Sequence, residues 1–157
     1  MAVTTDTIRS DYPLPAYNYR VEINGESVAF TEVSGLNIAY EVSTYKESPT
    51  TSGAAGPRTL YMPSQPTMTS LTLRKGIVRN ASLRTLYGWI KTVQLNQVEK
   101  KDIFIRLCDE KGEAVISWKV INAFPIRLDA PTFDAKSNDA AIETMELKAD
   151  GVTLEES

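Results

Sequence analysis

Residues 17–28, YNYRVEINGESV, decide the fold class. Apolar or aromatic side chains occupy every second position with polar ones between them, which is typical of a β-strand with one buried face. The strand ends at Asn24-Gly25, a strong hairpin signal because a type I′ turn needs positive φ at both central positions. The stretch predicts an antiparallel hairpin whose return strand covers about 27–33 and ends at Ser34-Gly35.

The same two-residue period recurs along most of the chain. It predicts a third strand with one face made of Ile38, Tyr40, Val42 and Thr44. Further strands are predicted near 59–62, 68–75, 103–108 and 114–121. Residues 122–131 contain two prolines and are predicted to bend.

Residues 82–95, SLRTLYGWIKTVQL, form the one segment with clear helical spacing. Its predicted buried stripe consists of Leu83, Leu86, Tyr87, Ile90 and Val93. Asn80 or Ser82 is expected to cap the start. Trp89 lies one residue off the stripe, so we expect it at the margin of a helix laid over a sheet.

Seven or more strands and one helix predict a mainly β protein, an antiparallel sandwich or partial barrel with a packed α-helix. Residues 1–15 are polar and contain Pro13 and Pro15, which predicts an N-terminal arm. Residues 16–157 are then a single domain, since 157 residues is an ordinary domain size.

Composition argues against several classes of function. The chain has no histidine, and its eight glycines are scattered singly, so no histidine-based catalytic group and no phosphate-binding loop is expected. A net charge of −3 gives no reason to expect nucleic acid. Cys108 is the one cysteine and is interpreted as a structural thiol. The prediction is a protein that is not an enzyme and needs no cofactor.

Two targeting signals are also not evident. No apolar run approaches the ~18–20 residues that span a bilayer. The first residues, MAVTTDTIRSDYP, lack the apolar segment of a signal peptide.

The stretch SNDAAIETMELKADG, 137–151, is open to three interpretations. Oxygens of Asp134, Asn138 and Asp139 suggest a cation site, but they lack the spacing of a calcium loop. Asx and Ser side chains also stabilise turns, which is the interpretation we favour for the cluster. The remainder has either the composition of a capped helix or the length of a strand.

Two further features bear on partners. Residues 46–58, KESPTTSGAAGPR, form a long loop that is either mobile in solvent or a contact with a partner. The seven tyrosines could include a sugar-stacking cluster, although most are at positions predicted to alternate into a core. Many strands with no obvious closure leave edges, which favours self-assembly.

Ordered motifs along nearly the whole chain resemble one family. They are YPLPAYNYRVEI at 12–23, FTEVSGLNIAYEVSTY at 30–45, LTLRKGI at 71–77, LYGWI at 86–90, LNQVEKKDIFIRL at 95–107 and the segment 117–155. Together they resemble the inner-tube proteins of extracellular contractile injection systems, of the antifeeding-prophage and Photorhabdus virulence cassette type. More broadly, the chain is similar to the tail tube proteins of contractile-tailed phages.

The resemblance implies a structural subunit that assembles into hexameric rings around a shared β-barrel. Rings would stack into a tube that carries luminal cargo and is driven through a target envelope when the sheath contracts. The implied partners are further copies, sheath, baseplate or spike, and tube-terminating proteins. No membrane anchor or nucleic acid is implied. Assembly would occur in the bacterial cytoplasm, before release of a phage tail-like particle.

The resemblance also sharpens two local predictions. It makes DAKSND, 134–139, a turn and places after it a strand that runs on towards Val152 and Leu154. Because the apolar residues of this strand switch parity, a change of face is predicted near Glu143–Thr144, as a β-bulge would produce. Ring stacking is predicted at the 46–58 loop with Lys46, Glu47 and Arg58, assisted by the N-terminal arm. The alternative to a tube subunit is a monomeric β-sandwich module that binds carbohydrate.

Overall fold

The computed structural model describes residues 2–80, 82–95 and 97–156, without the side chain of Ser82. These residues are mainly β, as predicted. The strands are β1 (Tyr19–Ile23), β2 (Glu26–Val28), β3 (Glu32–Ser34), β4 (Tyr40–Glu47), β5 (Arg58–Pro66), β6 (Thr69–Gly76), β7 (Lys101–Cys108), β8 (Ala114–Asp129), β9 (Ile142–Ala149) and β10 (Gly151–Glu156). The helical segments are α1 (Thr5–Asp11) and a π-helical stretch, Ser82–Tyr87, that continues into α2 (Gly88–Ile90).

One long strand joins the two halves of the structure. The first part of β8 pairs with β7 on one side and β10 on the other, whereas its last residues, from Phe124, pair with β9. This makes a first sheet of β2, β1, β7, β8 and β10, and a second sheet of β8, β9, β6 and β3. The order of these strands ends at β2 and β3, so the described residues of one subunit do not close into a barrel.

The predicted bend over 122–131 lies within a continuous strand, β8. Asn122 takes a positive φ of 54°, and the register against β9 shifts between Pro125 and Arg127. Proline cannot donate to a ladder, and a bulge is one of the places where a sheet tolerates it. The chain therefore bends within the strand and passes from the first sheet to the second.

The core lies between the two sheets. Regular alternation in β6 and β9 brings Leu71 opposite Leu147 and Leu73 opposite Met145, all of them buried. The remaining core residues come from the first sheet, the 82–90 helix and the end of β9: Val21, Ile23, Leu86, Trp89, Ile103, Ile105, Val120, Ala123, Ala149 and Val152. Val21 and Ile23 confirm the buried face predicted for the opening stretch.

The predicted hairpin is confirmed, but its return strand is split. Asn24 and Gly25 have φ of 52° and 85°, as a type I′ turn requires, and Ile23 pairs with Glu26. The predicted single strand over 27–33 is wrong, since β2 pairs with β1 and β3 pairs with β6. Residues 29–31 carry the chain between the sheets, and the Phe30 carbonyl accepts a 2.7 Å hydrogen bond from the Tyr19 hydroxyl.

The segment after DAKSND is a strand, β9, and the predicted run towards Val152 and Leu154 exists as a separate strand, β10, after a bend at Asp150. The predicted change of face within β9 is wrong. Alternation in β9 is unbroken, and Glu143 rather than Ile142 lies on the buried face. The irregularity lies in the partner β8 instead. In the preceding turn, Asp134 Oδ1 accepts from the Lys136 N–H at 3.0 Å, and Ser137 Oγ accepts from the Asp139 N–H at 3.1 Å.

Two buried charged side chains on neighbouring strands explain why the buried face of β9 was predicted wrongly. Glu143 is 8% exposed and lies directly opposite Lys75, which is 2% exposed. The Lys75 ammonium donates to the Gly76 carbonyl at 3.0 Å. Among the described residues, Glu143 Oε1 has no hydrogen-bond partner. Because buried positions are usually apolar, an apolar pattern does not reveal the buried face of two strands that each bury a charged residue.

The 82–90 helical segment buries only part of the predicted stripe. Leu86 is buried and Ile90 packs against the core, as predicted. Leu83 is 65% exposed, Tyr87 and Val93 are also exposed, and Trp89, expected at the margin, is 1% exposed. A π-helical turn advances by more residues than an α-turn, so it rotates later side chains away from a 3.6-residue stripe. The Trp89 indole N–H donates to the Glu99 carbonyl at 2.6 Å.

The start of this helix can be described only in part. The predicted cap at Ser82 lies outside the described side chains. The Asn80 carbonyl accepts a 3.1 Å bond from the Arg84 N–H. The helix is also shorter than the predicted 82–95, since α2 ends at Ile90.

The N-terminal arm contains a helix that the sequence pattern did not predict. Thr4 caps α1 by accepting from the Thr7 N–H at 3.2 Å. None of its residues is buried. An ion pair of 2.7 Å between Arg9 and Glu110 holds it against the turn after β7.

Truncation of the helix should separate the predicted face from the observed one. Trp89→Ala is expected to lower the free energy of unfolding by about 3–5 kcal/mol, because it empties a core position. Leu83→Ala, the matched control at a predicted stripe position that is exposed, is expected to stay within about 0.5 kcal/mol of wild type. Chemical denaturation of both variants measures this, and the reverse order of the two effects would contradict the observed face.

Candidate assembly surfaces

The strands β4 and β5 form a ribbon that stands apart from the two sheets. They pair only with each other among the described strands, from Glu47 opposite Arg58 to Tyr40 opposite Pro66. No residue of either strand is buried. A lone two-stranded ribbon is marginally stable in water. The third predicted strand therefore exists, but its expected contribution to a core within the subunit is absent from the described ribbon.

Both faces of this ribbon expose apolar side chains. On one face, Val42 (66% exposed) lies opposite Pro63, and Tyr61 (74% exposed) lies opposite Thr44. On the other face, Tyr45 lies opposite Leu60 and Met62 lies opposite Ser43. Contiguous exposed apolar surface of this kind marks interaction sites in soluble proteins. The ribbon surface is thus built for contact on two sides.

The predicted stacking residues meet at the tip of the ribbon. Glu47 and Arg58 are cross-strand neighbours, with 3.4 Å between the carboxylate Oε1 and the guanidinium Nε. Lys46 lies one position back, opposite Thr59. The three side chains therefore surround the base of the 48–57 loop, which turns through Gly53 at a φ of 86°.

Strand edges are a second class of contact surface. Among the described strands, β10 pairs with β8 alone, so one side of Gly151–Glu156 faces away from any ladder. The first and last strands in the strand order, β2 and β3, are each only three residues long. Short edge strands are a common way to limit unwanted pairing, which leaves β10 as the longest edge strand of the two sheets, apart from the ribbon.

The outward face of the second sheet is polar. Most of its side chains are small hydroxyls and charges of both signs: Glu32, Ser34, Ser70, Thr72, Arg74, Thr144, Glu146 and Lys148. Ile142 and Phe124 are apolar residues on the same face. Arg74 pairs with Glu32 at 3.0 Å, and the Lys148 ammonium is hydrogen-bonded to the Ser70 hydroxyl. This face suits contact with water rather than with an apolar partner.

The tyrosines do not lie where their alternation indicated. Tyr19 is half-buried, but the other six are exposed: Tyr12, Tyr17, Tyr40, Tyr45, Tyr61 and Tyr87. They are distributed over the N-terminal arm, the ribbon and the helix. The expectation that most tyrosines point into a core is wrong. Tyr40, Tyr45 and Tyr61 lie on β4 and β5, and these two strands contribute no buried residue.

Other candidate sites resolve into structural roles. Cys108 is buried, with its thiol 3.7 Å from the Arg106 carbonyl oxygen. Within the described residues, no three metal-ligating side chains group together. In the same part of the chain, no helix has the length and apolar character needed to cross a bilayer.

Comparison with known proteins identifies this arrangement. The family model of the T4-like virus tail tube protein gp19 matches residues 15–153. The chain belongs to this tail tube family. The match begins before β1, ends within β10, and includes the ribbon and the helical segment 82–90.

Solved structures show which tail tube proteins this chain resembles. A chain of the extended sheath–tube complex of PVC, an extracellular contractile injection system, is 39% identical, with 99% of this chain and 100% of that chain covered and a TM-score of 0.88. A chain of the anti-feeding prophage cap is 41% identical over 100% of both chains, with a TM-score of 0.82. A chain of the anti-feeding prophage baseplate is 25% identical, covering 92% of this chain and 96% of that one, with a TM-score of 0.73.

A search of curated protein sequences gives no significant match. The tail tube protein is nevertheless assigned, by family and by fold, as a structural tube or tube-associated component of contractile injection systems.

Proposed function

We propose that this protein is the subunit of the inner tube of a contractile, phage tail-like injection system. The observation that carries the proposal is the likeness over the full length of both chains to a component of an extended sheath–tube complex. Six copies form a ring, rings stack, and the lumen carries cargo. Sheath contraction then drives the tube through the target envelope.

The incomplete surfaces of the subunit support a ring. The outer side of β10 offers main-chain groups for lateral pairing. Pairing between edges of successive copies is a heterologous contact, which closes into a ring when the rotation per copy allows. The polar outward face of the second sheet is then the proposed wall of the aqueous lumen, as in wide β-barrels with polar interiors.

The proposed role is mechanical rather than catalytic. A rigid tube needs buried interface area, and stable interfaces typically bury ~1,200–2,000 Å² in total. The two exposed faces of the ribbon supply apolar surface for this purpose. No cofactor is needed for such a role, and relatives of this family are structural components.

Stacking is proposed to use the tip of the ribbon. Lys46, Glu47 and Arg58 surround a loop that projects beyond the last paired residues, so it can reach a neighbouring ring. The N-terminal arm, held by the Arg9–Glu110 pair, assists at the same kind of contact. Sheath, baseplate and tube-terminating proteins are the proposed further partners, with assembly in the bacterial cytoplasm before particle release.

A monomeric carbohydrate-binding module is the alternative function. It requires aromatic rings grouped in one platform, whereas the exposed tyrosines are spread over separate elements of the structure. In a stable monomer the ribbon would be expected to pack against the rest of the chain, but no residue of β4 or β5 is buried. The tube function is therefore preferred.

Electron microscopy distinguishes the two functions. Purified protein is expected to form rings of six copies or stacked tubes, alone or together with the baseplate proteins of its particle. Negative-stain images and mass by light scattering provide the measurement. A strict monomer at high concentration, with and without those proteins, together with binding on a glycan array, would support the carbohydrate module instead.

Shortening the ribbon tip tests the stacking assignment. Replacing residues 48–57 with Asn-Gly joins the paired residues Glu47 and Arg58 by a two-residue type I′ turn, which preserves the ribbon. Rings are expected to form while tube length falls at least severalfold. Lys136→Ala, in a turn away from the ribbon, is the control. Tubes of wild-type length from the shortened variant would exclude the loop from stacking.

A further inference from the structure

The outward face of the second sheet, the proposed wall of the lumen, is ordered in rows that cross its strands. Residues paired on neighbouring strands lie about 5 Å apart and face the same side. The first row consists of Glu32, Arg74, Thr144 and Asp129. The second row consists of Ser34, Thr72, Glu146 and Arg127. The third row consists of Ser70, Lys148 and Phe124. The strand registers therefore fix which charges are neighbours.

The charges on this face cancel. Among the described residues of β3, β6, β9 and the part of β8 from Phe124, the outward-facing cations are Arg74, Arg127 and Lys148. The outward-facing anions of the same strands are Glu32, Asp129 and Glu146. Their two remaining charged residues, Lys75 and Glu143, are buried on the other side of the sheet. As many positive as negative charges thus give the face no net charge.

The two arginines are held by neighbouring carboxylates. Arg74 Nη1 donates to Glu32 Oε2 at 3.0 Å, and Arg127 Nε donates to Asp129 Oδ1 at 2.9 Å. The hydrogen bond to Asp129 is the main cause that raises the pKa of Arg127, and the charges of Asp129 and Glu146 raise it further. Opposite charges therefore lie side by side within the wall.

The third cation is also close to polar partners. The Lys148 ammonium is hydrogen-bonded to the Ser70 hydroxyl across the β6–β9 ladder. Glu146 lies two residues away on the same face of β9, about 7 Å along the strand. No cation of the described face is thus separated from an anion by more than one or two residue spacings.

The apolar groups of the face lie towards its two ends. Phe124 has the Lys100 ammonium 5.3 Å from its ring centre, and Ile126 lies in the bulge of β8. Ile142 begins β9, six residues before Lys148, so it is about 20 Å from the Phe124 row. Scattered apolar side chains of this kind are ordinary on a solvated surface.

The loops beyond the strand ends carry charges of both signs. At the end where Gly76 pairs with Ile142, the charged residues of loops 77–80 and 130–141 are Arg79, Asp134, Lys136 and Asp139. Near the Phe124 end, the charged residues of segments 99–102 and 149–151 are Glu99, Lys100, Lys101, Asp102 and Asp150. Neither rim of the face is therefore of a single sign.

The balance determines how far the field of the wall extends. A surface of one sign focuses field lines and concentrates ions of the opposite sign. Every copy in a ring presents the same face, so a net charge per copy would be repeated around the lumen. Adjacent opposite charges instead cancel over a distance similar to their separation, and salt screens the remainder with a Debye length of about 8 Å at physiological ionic strength.

We propose that this wall does not discriminate by charge, so that polypeptide cargo of either sign moves along it without being held or repelled. The proposal rests on the proposed function, because it requires the face to line a lumen. Polypeptides differ in the sign of their charge, and a balanced wall suits them all. Nucleic acid is always anionic, and proteins that hold it do so through basic surfaces. The two arginine–carboxylate pairs are then the residues that set the selectivity of the lumen.

A thiol placed in the wall reports its electrostatic potential. Thr72→Cys puts the thiol in the middle row, while the native Cys108 is buried. Assembled tubes are treated with a cationic and an anionic methanethiosulfonate of similar size, and the two rates are divided. The ratio cancels the reactivity of the thiol itself. It is expected to lie within about threefold of the ratio for the neutral thiol β-mercaptoethanol, because a balanced wall concentrates neither reagent.

Removing charges of one sign shows that the balance matters. In the Thr72→Cys protein, Glu32→Gln/Asp129→Asn leaves the wall positive, and Arg74→Gln/Arg127→Gln leaves it negative. The rate ratio is expected to shift at least about fivefold, towards the anionic reagent in the first variant and the cationic one in the second. Both shifts are expected to disappear at about 1 M salt, where the Debye length is about 3 Å.

Two further variants make the test specific. Glu26→Gln/Glu113→Gln removes two exposed carboxylates from the first sheet and its turn, and is expected to leave the ratio unchanged. The exchange Glu32→Arg/Arg74→Glu keeps the wall balanced, so the ratio is expected to stay within about twofold of the parent. Electron microscopy verifies that each sample contains tubes.

The outcomes separate this proposal from the proposed function. A parent wall that favours the cationic reagent by more than about tenfold would be a wall for cationic cargo, and the reverse preference would suit nucleic acid. Either result, or ratios that do not respond to the neutralised pairs, would overturn the balanced wall while tubes remain visible. Absence of tubes from the wild-type protein, alone and with its baseplate proteins, would instead contradict the proposed function.

Discussion

The structure depends on a β-ribbon that its own subunit leaves uncovered. The strands β4 and β5 satisfy their inner main-chain groups against each other, but no residue of either is buried. Two strands alone do not bury enough apolar surface to offset the entropy of ordering them. Val42 and Tyr61 on one face and Tyr45 on the other are therefore exposed, and in the proposed tube another copy covers them.

The rest of the domain provides the stable platform for that ribbon. Because β8 runs through both sheets, the core from Val21 to Val152 is closed without any contribution from β4 or β5. In the proposed tube, folding and assembly use different residues. Copies then fold individually and join later, through the ribbon and the β10 edge.

Local chemistry explains which features could be predicted. Asn24-Gly25 specifies its turn through backbone sterics alone, and alternation located the strands around Val21 and Leu73. Trp89 was misplaced because a π-helical turn breaks the helical period, and the face of β9 was misjudged because Glu143 is buried opposite Lys75. Alternating apolar residues predict a strand but do not identify the surface that its apolar face contacts. The sequence therefore located β4 as a strand without showing what its apolar face contacts.

Hydrogen exchange of the ribbon amides tests most directly whether other copies complete the fold. Dispersed subunits and assembled particles of the same protein are compared by mass spectrometry, with peptides from β6 and β9 as the internal reference. The amides of Tyr40–Glu47 and Arg58–Pro66 are expected to exchange rapidly in the subunit and to slow by at least about a hundredfold on assembly, since local opening is then linked to the interface. Reference peptides are expected to be protected in both states. Ribbon amides that are equally protected before and after assembly would contradict the account.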